Sequence, residues 1–472
     1  MQTKMDQKAI EDHLDRVSLY HEVGKITKSL GLIYEAHLPG AAVGSICRIL
    51  SSDSMSGDHG VDAEVIGFKD KRVVLMAFED APGVNKDSMV FLRRWNSSVR
   101  VGESLLGRVI DGRGNPIDGK GPIVATRLQP LEERSLYHVP THPLERKLIT
   151  EPLDLGVRSI NGLNTCGKGQ RIGIMAGSGV GKSVLLGMMA RYTSAEVNVI
   201  ALIGERGREV KEFIERDLGP EGLKRSVVVV STSDTSPLLR MRGAFLATTI
   251  AEYFRDLGKD VLLLMDSVTR FSMAQREIGL SLGEPPASKG YTPSVFAALP
   301  KLLERAGMAP NRGSITGLYS VLVEGDELDD PIADSVRAIL DGHIVLSRKI
   351  AQRNHFPAVD ILQSTSRVMR SVTQKDHQEW AGLIREWVAA YAQAEDLINV
   401  GAYVKGANIK IDQAIAVKDK VDAFLKQGME ESSNLADTQA MMHSIVRLAE
   451  AYLASVQNPP QAPPPRSPVA RI

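Results

Sequence analysis

The chain has few cysteines, no excess of charge of either sign and no long apolar run. Its 472 residues include two cysteines, Cys47 and Cys166, far apart and outside any CxxC or His/Cys cluster. A disulfide framework and a zinc site are therefore not expected, and a reducing compartment fits best. The 57 basic residues balance the 57 acidic ones, so the positive surplus of a dedicated nucleic-acid binder is missing.

Membrane insertion is not expected either. No segment approaches the ~18 consecutive apolar residues that span a bilayer. The first residues, "MQTKMDQKAIEDHLDR", lack the apolar stretch of a signal peptide. We therefore expect a cytoplasmic protein that reaches a membrane only peripherally, through a partner.

The N-terminal part of the chain changes pattern near residue 22. Residues 1–22 predict an amphipathic helix, because Ile10, Leu14 and Val17 fall on one face. This helix either packs on its own chain or docks on another protein. Residues 23–95 hold short β-rich segments between Gly, Pro and Asp turns, which predicts a small β-barrel domain.

The rest of the chain predicts a nucleotide-binding core, a helical domain and a tail. Residues 96–375 alternate strands with helices, which is typical of an α/β domain with a mainly parallel sheet covered on both faces. The pattern of 376–456 is helical, and 457–472 is a Pro-rich segment expected to be disordered. Apolar runs indicate buried strands at 170–176, 197–203, 226–232 and 260–266.

The segment "AGSGVGKS", residues 176–183, predicts a phosphate-binding loop. It follows an apolar strand and opens a helix, which is the context in which this motif binds nucleotides. Ala176 stands where the strict motif has glycine, so only the terminal GxGKS part matches fully. Lys182 is expected to contact the β- and γ-phosphates and Ser183 to ligate Mg²⁺. The expected nucleotide contacts are Gly177, Ser178, Gly179, Val180, Gly181, Lys182 and Ser183.

Three further positions carry chemistry of less specific kind. Asp266 ends the run "VLLLMD" and can hold a magnesium-bound water. Glu205, in "GERGREVKEF", is either a general base for water or one member of a solvated charged cluster. Arg367, in "FPAVDILQSTSRV", is either an arginine finger or a surface salt-bridge partner.

Taken together, these segments resemble one family. "GERGREVKEFIE", "LLLMDSVTRFSMAQREIGL" and "PAVDILQSTSRV", with the phosphate loop, are similar to the hexameric ATPases of the rotary ATP synthase alpha/beta superfamily. Within it, the chain resembles the ATPases of bacterial type III protein export, and the flagellum-specific members best. The likeness spans roughly residues 20–455 and implies a RecA-like P-loop domain.

The resemblance implies roles for the charged residues. Glu205 would be the catalytic base, and Arg206 and Arg270 would contact the γ-phosphate. Glu209 and Asp266 would hold Mg²⁺ through water.

It also implies a shared site. Arg367 would act in trans, in the site of the neighbouring subunit. Phe356 would stack on adenine, with Tyr403 of "GAYVKGAN" near the same base. A chain that carries both the base Glu205 and the finger Arg367 can build a homohexamer with equivalent sites, so a monomer should hydrolyse ATP poorly.

The implied activity is Mg²⁺-dependent ATP hydrolysis that releases chaperones and loads export substrates. The implied partners are a stator-like regulator on the N-terminal helix, a central-stalk protein, export-gate membrane proteins, and chaperones with their substrates. Nucleic acid is not an expected partner.

Several alternatives remain open at this point. A virulence type III secretion ATPase shares the catalytic motifs, although residues 44–95 read closer to flagellar members. The catalytic subunit of a rotary synthase or vacuolar-type ATPase would carry a glutamate-rich loop that is not evident here. An RNA-tracking hexamer is disfavoured by the neutral charge, and a non-hydrolysing subunit by Glu205.

Overall fold

The computed structural model describes residues 22–50, 60–126, 130–310, 313–323 and 330–457. The predicted helix at Ile10, Leu14 and Val17 and the Pro-rich residues 458–472 lie outside these ranges. Within them, no helix combines the length and the apolar character needed to cross a bilayer.

Six antiparallel strands form a closed N-terminal barrel, as predicted. They close in the order β1-β2-β5-β4-β3-β6. Side chains on alternate positions, such as Ile26, Val65 and Leu75, fill the interior, which is the pattern of a pleated strand with one buried face. The strands are β1 (Val23–Leu30), β2 (Ile33–His37), β3 (Ile46–Leu50), β4 (Gly60–Lys69), β5 (Arg72–Ala77) and β6 (Met89–Arg94).

A nine-stranded sheet forms the centre of the molecule and confirms the predicted α/β core. It includes β8 (Val109–Asp111), β12 (Arg171–Ala176), β13 (Val197–Ile203), β14 (Ser226–Ser231), β15 (Asp260–Asp266), β16 (Gly307–Met308), β17 (Ser314–Leu322), β18 (Gly342–Leu346) and β19 (Val359–Ser366). The order is β19-β18-β12-β17-β15-β13-β14-β8, with β16 beside β17. All neighbours pair in parallel except β19 with β18 and β16 with β17. The carboxyl ends of the parallel strands therefore share one edge, where ligands of such sheets bind.

Two small ribbons flank this sheet. β7 (Ser98–Val101) pairs with β9 (Glu132–Ser135), and β10 (Pro152–Leu153) pairs with β11 (Cys166–Gly167).

Helices cover both faces of the sheet. They are α1 (Arg158–Leu163), α2 (Lys182–Tyr192), α3 (Gly207–Glu212), α4 (Gly219–Lys224), α5 (Pro237–Asp256), α6 (Val268–Ser281), α7 (Pro293–Leu303), α8 (Pro331–Ile339), α9 (Arg348–Gln352) and α10 (Met369–Val372). The sequence predicts one helix over residues 209–218, but α3 ends at Glu212 and a π-helical segment, Phe213–Leu218, follows.

The C-terminal part is helical, as predicted. Over the residues that the structure describes it consists of three long helices: α11 (Lys375–Asn399), α12 (Ile409–Leu425) and α13 (Leu435–Gln457). Ile384 and Trp387 of α11 lie in the same buried apolar cluster as Val417 and Phe424 of α12. Arg158 of α1 is buried, and its Nε donates to the carbonyl of Phe424 at 2.9 Å. This contact ties the helical part to the central sheet.

A buried ion pair joins the barrel to the sheet domain. Arg242 of α5 contacts Glu64 of β4 at 2.5 Å, and both side chains are almost fully buried. The hydroxyl of Tyr137 also donates to Glu64, at 2.8 Å. The barrel is therefore fixed on the helix that follows β14.

Candidate active site

The predicted phosphate loop lies at the carboxyl edge of the sheet, between β12 and α2. Gly179 and Gly181 have φ values of 77° and 84°, which side chains with a Cβ rarely adopt. The loop opens onto a cavity of about 1020 Å³. Its lining brings together these predicted residues: Gly177, Ser178, Gly179, Gly181, Lys182, Ser183, Glu205, Arg206, Glu209 and Arg270. Val180 of the same loop is buried in the core instead.

Lys182 lies between two carboxylates. Its Nζ forms an ion pair with Asp266 and is 3.9 Å from Oε1 of Glu205. The hydroxyl of Ser320 donates to Oδ1 of Asp266 at 2.6 Å. Asp266 is thereby held at the end of β15, directly behind the lysine.

Glu205 is a partly buried carboxylate with a raised pKa. Burial, together with the charge of Asp266, raises its pKa to about 7, although Lys182 opposes this shift. A base whose pKa lies near the working pH transfers protons most efficiently. The side chain of Glu205 also lowers the pKa of Glu209 by hydrogen bonding, with a further contribution from Arg206.

The two predicted γ-phosphate arginines differ in their contacts. Arg206 is exposed, and its Nη1 donates to Oε1 of Glu209 at 3.3 Å. Arg270 faces the cavity, and its Nη1 lies 3.7 Å from the sulfur of Met273. Its Nε is buried and has no hydrogen-bond partner in the described part of the chain. A partly buried guanidinium with no carboxylate partner among the described residues fits an anionic ligand such as a phosphate.

Phe356 lies beside the phosphate loop. A Cβ placed on Gly181 would be 3.4 Å from its ring. The ring is 43% exposed, and the Phe356 carbonyl accepts a hydrogen bond of 2.9 Å from the amide of Gln427. An exposed ring at this place is available to stack on a base.

Tyr403 is not part of this site, which corrects the sequence prediction. It lies in the loop that precedes α12, where its hydroxyl donates to the carbonyl of Asn408 at 3.0 Å. Phe356 contacts Gln427, just after the other end of α12. Because α12 has 17 residues, its two ends are about 25 Å apart. The motif "GAYVKGAN" therefore marks a hairpin far from the nucleotide loop.

Arg367 is also absent from the cavity. It directly follows Ser366 of β19, which pairs with Gly342 at the amino end of β18. The phosphate loop is at the carboxyl end of the neighbouring β12, whose six residues span about 16 Å. The exposed side chain of Arg367 thus lies at the opposite edge of the sheet from the loop of its own chain.

Some residues of the site are not found by motif reading. Ser320 holds Asp266, and the only signal for it is a hydroxyl in the apolar strand "GLYSVL". Arg276 also lines the cavity, with its guanidinium 5.4 Å from the ring centre of Tyr291. Its Nε is buried without a hydrogen-bond partner among the described residues, as is that of Arg270.

Comparison with known proteins identifies the family of this chain. The model of the ATP synthase alpha/beta family, nucleotide-binding domain, matches residues 156–366, and that of the T3SS EscN ATPase C-terminal domain matches 373–444. The flagellum-specific ATP synthase of Bacillus subtilis (strain 168) is 49% identical, over 93% of this chain and 99% of the relative. The chain belongs to the family of flagellum-specific ATP synthases and type III secretion ATPases.

Solved structures of this family share the fold. One is the assembled ATPase EscN from the type III secretion system of enteropathogenic E. coli. It is 47% identical, with a TM-score of 0.83, over 90% of this chain and 100% of that one. A second holds EscN in complex with its central stalk EscO, with 46% identity, a TM-score of 0.81 and the same coverage. The chain is therefore an ATPase, and the residues that line the cavity all fall within its matched nucleotide-binding domain.

Proposed function

We propose that this chain is the ATPase of a bacterial flagellar protein-export apparatus. The proposal rests on the positions of the residues that the reaction needs, because they lie at two separate places in one chain. The phosphate loop and Glu205 share one cavity, whereas Arg367 lies at the opposite edge of the sheet. A single copy therefore holds an ATP molecule but cannot complete its own site.

Binding is the work of the loop and of Phe356. The loop amides and the amino end of α2 surround the phosphates, and Lys182 exchanges its pairing with Asp266 for the β- and γ-phosphates. The ring of Phe356 stacks on adenine. Phenylalanine here gives the stacking contact without a hydroxyl.

The donor set suits Mg²⁺. The hydroxyl of Ser183 would contact the ion directly, and the carboxylates of Glu209 and Asp266 would hold it through water, so that all its contacts are the oxygens that this ion prefers. No cluster of three or more His, Cys, Asp or Glu side chains able to hold a metal occurs in the described ranges. This fits an ion held mainly by substrate phosphates and water, with one or two protein ligands. When bound, it neutralises developing charge on the phosphates.

Hydrolysis then needs a base and cationic groups. Glu205 accepts a proton from the attacking water, which its raised pKa allows near neutral pH. Arg206 and Arg270 hold the γ-phosphate, and Arg270 reaches it without first breaking an ion pair. Arg367 of the adjacent copy stabilises the charge of the transition state.

Replacing Glu205 by Gln tests the base. The variant keeps the size of the side chain but cannot accept the proton, so turnover should fall by about 10²–10⁴-fold while ADP still binds. Glu215→Gln is the matched control, because Glu215 is exposed on the neighbouring π-helical segment. Unchanged turnover in Glu205→Gln would remove Glu205 from the mechanism.

Sharing of each site implies a homohexamer, and mixing inactive copies tests this. Lys182→Ala lacks the cradle, and Arg367→Ala lacks the finger. A mixed ring places intact cradles beside intact fingers, so partial turnover should return. A correctly assembled mixed ring that remains silent would contradict the shared site.

The remaining partners follow from the proposed role. The hexamer surrounds a central-stalk protein and works in the cytoplasm, peripherally attached to the inner membrane at the export gate. It releases chaperones and loads their substrates. Residues 1–20 bind a stator-like regulator, so their deletion should abolish binding in a pull-down while leaving ATPase activity intact. We propose the domain boundaries 1–22, 23–95, 96–375, 376–456 and 457–472 for designing such truncations.

A virulence secretion ATPase is the second candidate, because EscN shares the fold over 90% of this chain. Expression in a motile bacterium that lacks its flagellar ATPase distinguishes the two. Restored swimming supports the flagellar role. Failure there, together with rescue of a secretion ATPase mutant, supports the second candidate.

A further inference from the structure

The backbone of Arg367 is hydrogen-bonded to Asp341, which forms an ion pair with Arg171. The amide of Arg367 donates to the carbonyl of Asp341 at 3.0 Å. The carboxylate of Asp341 accepts two parallel bonds of 3.1 Å from Nε and Nη2 of Arg171, and a third of 3.1 Å from its amide. The amide of Asp341 in turn donates to the carbonyl of Arg171 at 2.9 Å. Two-pronged pairing of this kind fixes orientation as well as distance.

Close packing makes this attachment stiff. A Cβ on Gly342 would lie 2.5 Å from the carbonyl oxygen of Thr365. Nε2 of Gln170 donates both to the Asp341 carbonyl at 3.1 Å and to Oγ of Ser366 at 3.0 Å. These contacts couple the end of β19 to Asp341.

The side chain of Arg367 has no comparable support. It is exposed and forms no ion pair within the ranges that the structure describes. Its position thus depends on its backbone, and the backbone depends on Asp341. Arg171, which holds Asp341, is the first residue of β12, and the last residue of that strand, Ala176, begins the phosphate loop.

We infer that Arg171 and Asp341 are positioning residues for Arg367 and link the phosphate loop of one site to the arginine lent to the next. The inference rests on the proposed role of Arg367 in trans. The pair touches no substrate. It acts by keeping a flexible side chain within reach of a phosphate that another copy binds.

The test uses Asp341→Asn, which places an amide where Arg171 requires a carboxylate. Turnover of the assembled protein should fall at least tenfold, toward the ~10²-fold that a 1 Å misplacement costs. Affinity for ADP with aluminium fluoride, which mimics the transition state, should fall similarly. Affinity for ADP alone should stay within about twofold, because the chain's own cradle is intact.

Mixtures locate the defect. Asp341→Asn copies should regain turnover with Lys182→Ala copies, which lend intact arginines. With Arg367→Ala copies they should rise no higher than the low turnover of Asp341→Asn alone. Asp118→Asn is the matched control. Its partner Arg108 makes the same paired contacts, at 2.7 and 3.0 Å. Arg108 directly precedes β8, the outermost strand on the other side of the sheet from β19. That variant should restore turnover to Arg367→Ala copies.

Arg171→Lys provides an independent variant, since it keeps the charge but loses the planar fork. Thermal melting shows whether Asp341→Asn folds. If it does not, Arg171→Lys takes its place and should show the losses of turnover and of transition-state affinity expected for Asp341→Asn. Wild-type turnover in both variants, or a loss of ADP affinity as large as that for the transition-state mimic, would overturn the inference alone. Silence of the Lys182→Ala and Arg367→Ala mixture would overturn the shared site and the inference with it.

Discussion

Glu205 is the residue whose surroundings matter most to the proposed mechanism, because they set its charge near neutral pH. Its pKa is raised to about 7 by burial and by Asp266. In the proposed mechanism the active form of Glu205 is the carboxylate, so activity should be lost as the pH falls through this value.

The first prediction concerns this pH dependence. The kcat/KM of ATP hydrolysis should rise with pH and level off above about 7, falling about tenfold per pH unit on the acid side. A pH–rate profile of the assembled enzyme measures it. The residual rate of Glu205→Gln should lack this limb. A wild-type profile that is flat across neutral pH would contradict the assignment.

The second prediction concerns Phe356. Replacement by Ala should weaken ATP binding by about 1–3 kcal/mol, the usual worth of stacking a base on an aromatic ring, whereas Tyr should bind as well as Phe. Calorimetry measures both. Inorganic triphosphate is the control ligand, since it has no base and should bind equally to all three proteins. Equal loss for triphosphate would show that Ala has disturbed the loop itself.

At the scale of elements, the phosphate loop depends on backbone shape. Gly181 has a φ of 84° and lies against the Phe356 ring. Gly207, which opens α3, has no atom near an added Cβ. Comparing the two glycines therefore distinguishes a glycine that the loop conformation requires from one that only lies near the site.

The third prediction follows from this contrast. Gly181→Ala should weaken ATP binding by about 1–2 kcal/mol, the cost of a left-handed conformation for a residue with a Cβ. Gly207→Ala should leave binding unchanged. Equilibrium binding to a fluorescent ATP analogue measures both. Equal affinity in the two variants would show that the loop does not need the strained conformation.

The sequence predicts the structure well where a local pattern determines the local fold. The loop at 176–183 lies between a strand and a helix because its glycines and its Lys-Ser pair require that context. The prediction for Tyr403 is wrong because a motif does not report the length of the helices around it. The helix α12 separates Tyr403 by about 25 Å from Gln427, which contacts Phe356. The π-helical segment at Phe213–Leu218 was missed because its side-chain spacing resembles that of an ordinary helix.

At the scale of the molecule, the decisive contacts join distant segments. Arg242 and Glu64 are separated by 178 positions and are both buried. No periodicity in either segment predicts their pairing. The same holds for the distance between Arg367 and its own phosphate loop, which depends on the order of strands in the sheet.

The fourth prediction tests the joint between barrel and sheet. Arg242→Met leaves the Glu64 carboxylate buried without its cation and should lower the free energy of unfolding by about 3–5 kcal/mol. Adding Glu64→Gln removes the unpaired charge and should recover part of that loss. Urea denaturation of the full chain measures both. A single variant as stable as the wild type would show that the pair contributes nothing to the joint.

The short strand β8 has a consequence for any shortened form of this protein. It pairs with β14, "SVVVVS", and closes that side of the sheet. A fragment that begins after residue 111 would leave β14 with bare amides and carbonyls beside four consecutive valines. An unpaired edge strand of this kind pairs with strands of other chains and favours fibrous aggregation. Fragments that begin before Val109 keep β8 and should stay soluble. The strand β8 therefore also protects the sheet domain from aggregation through β14.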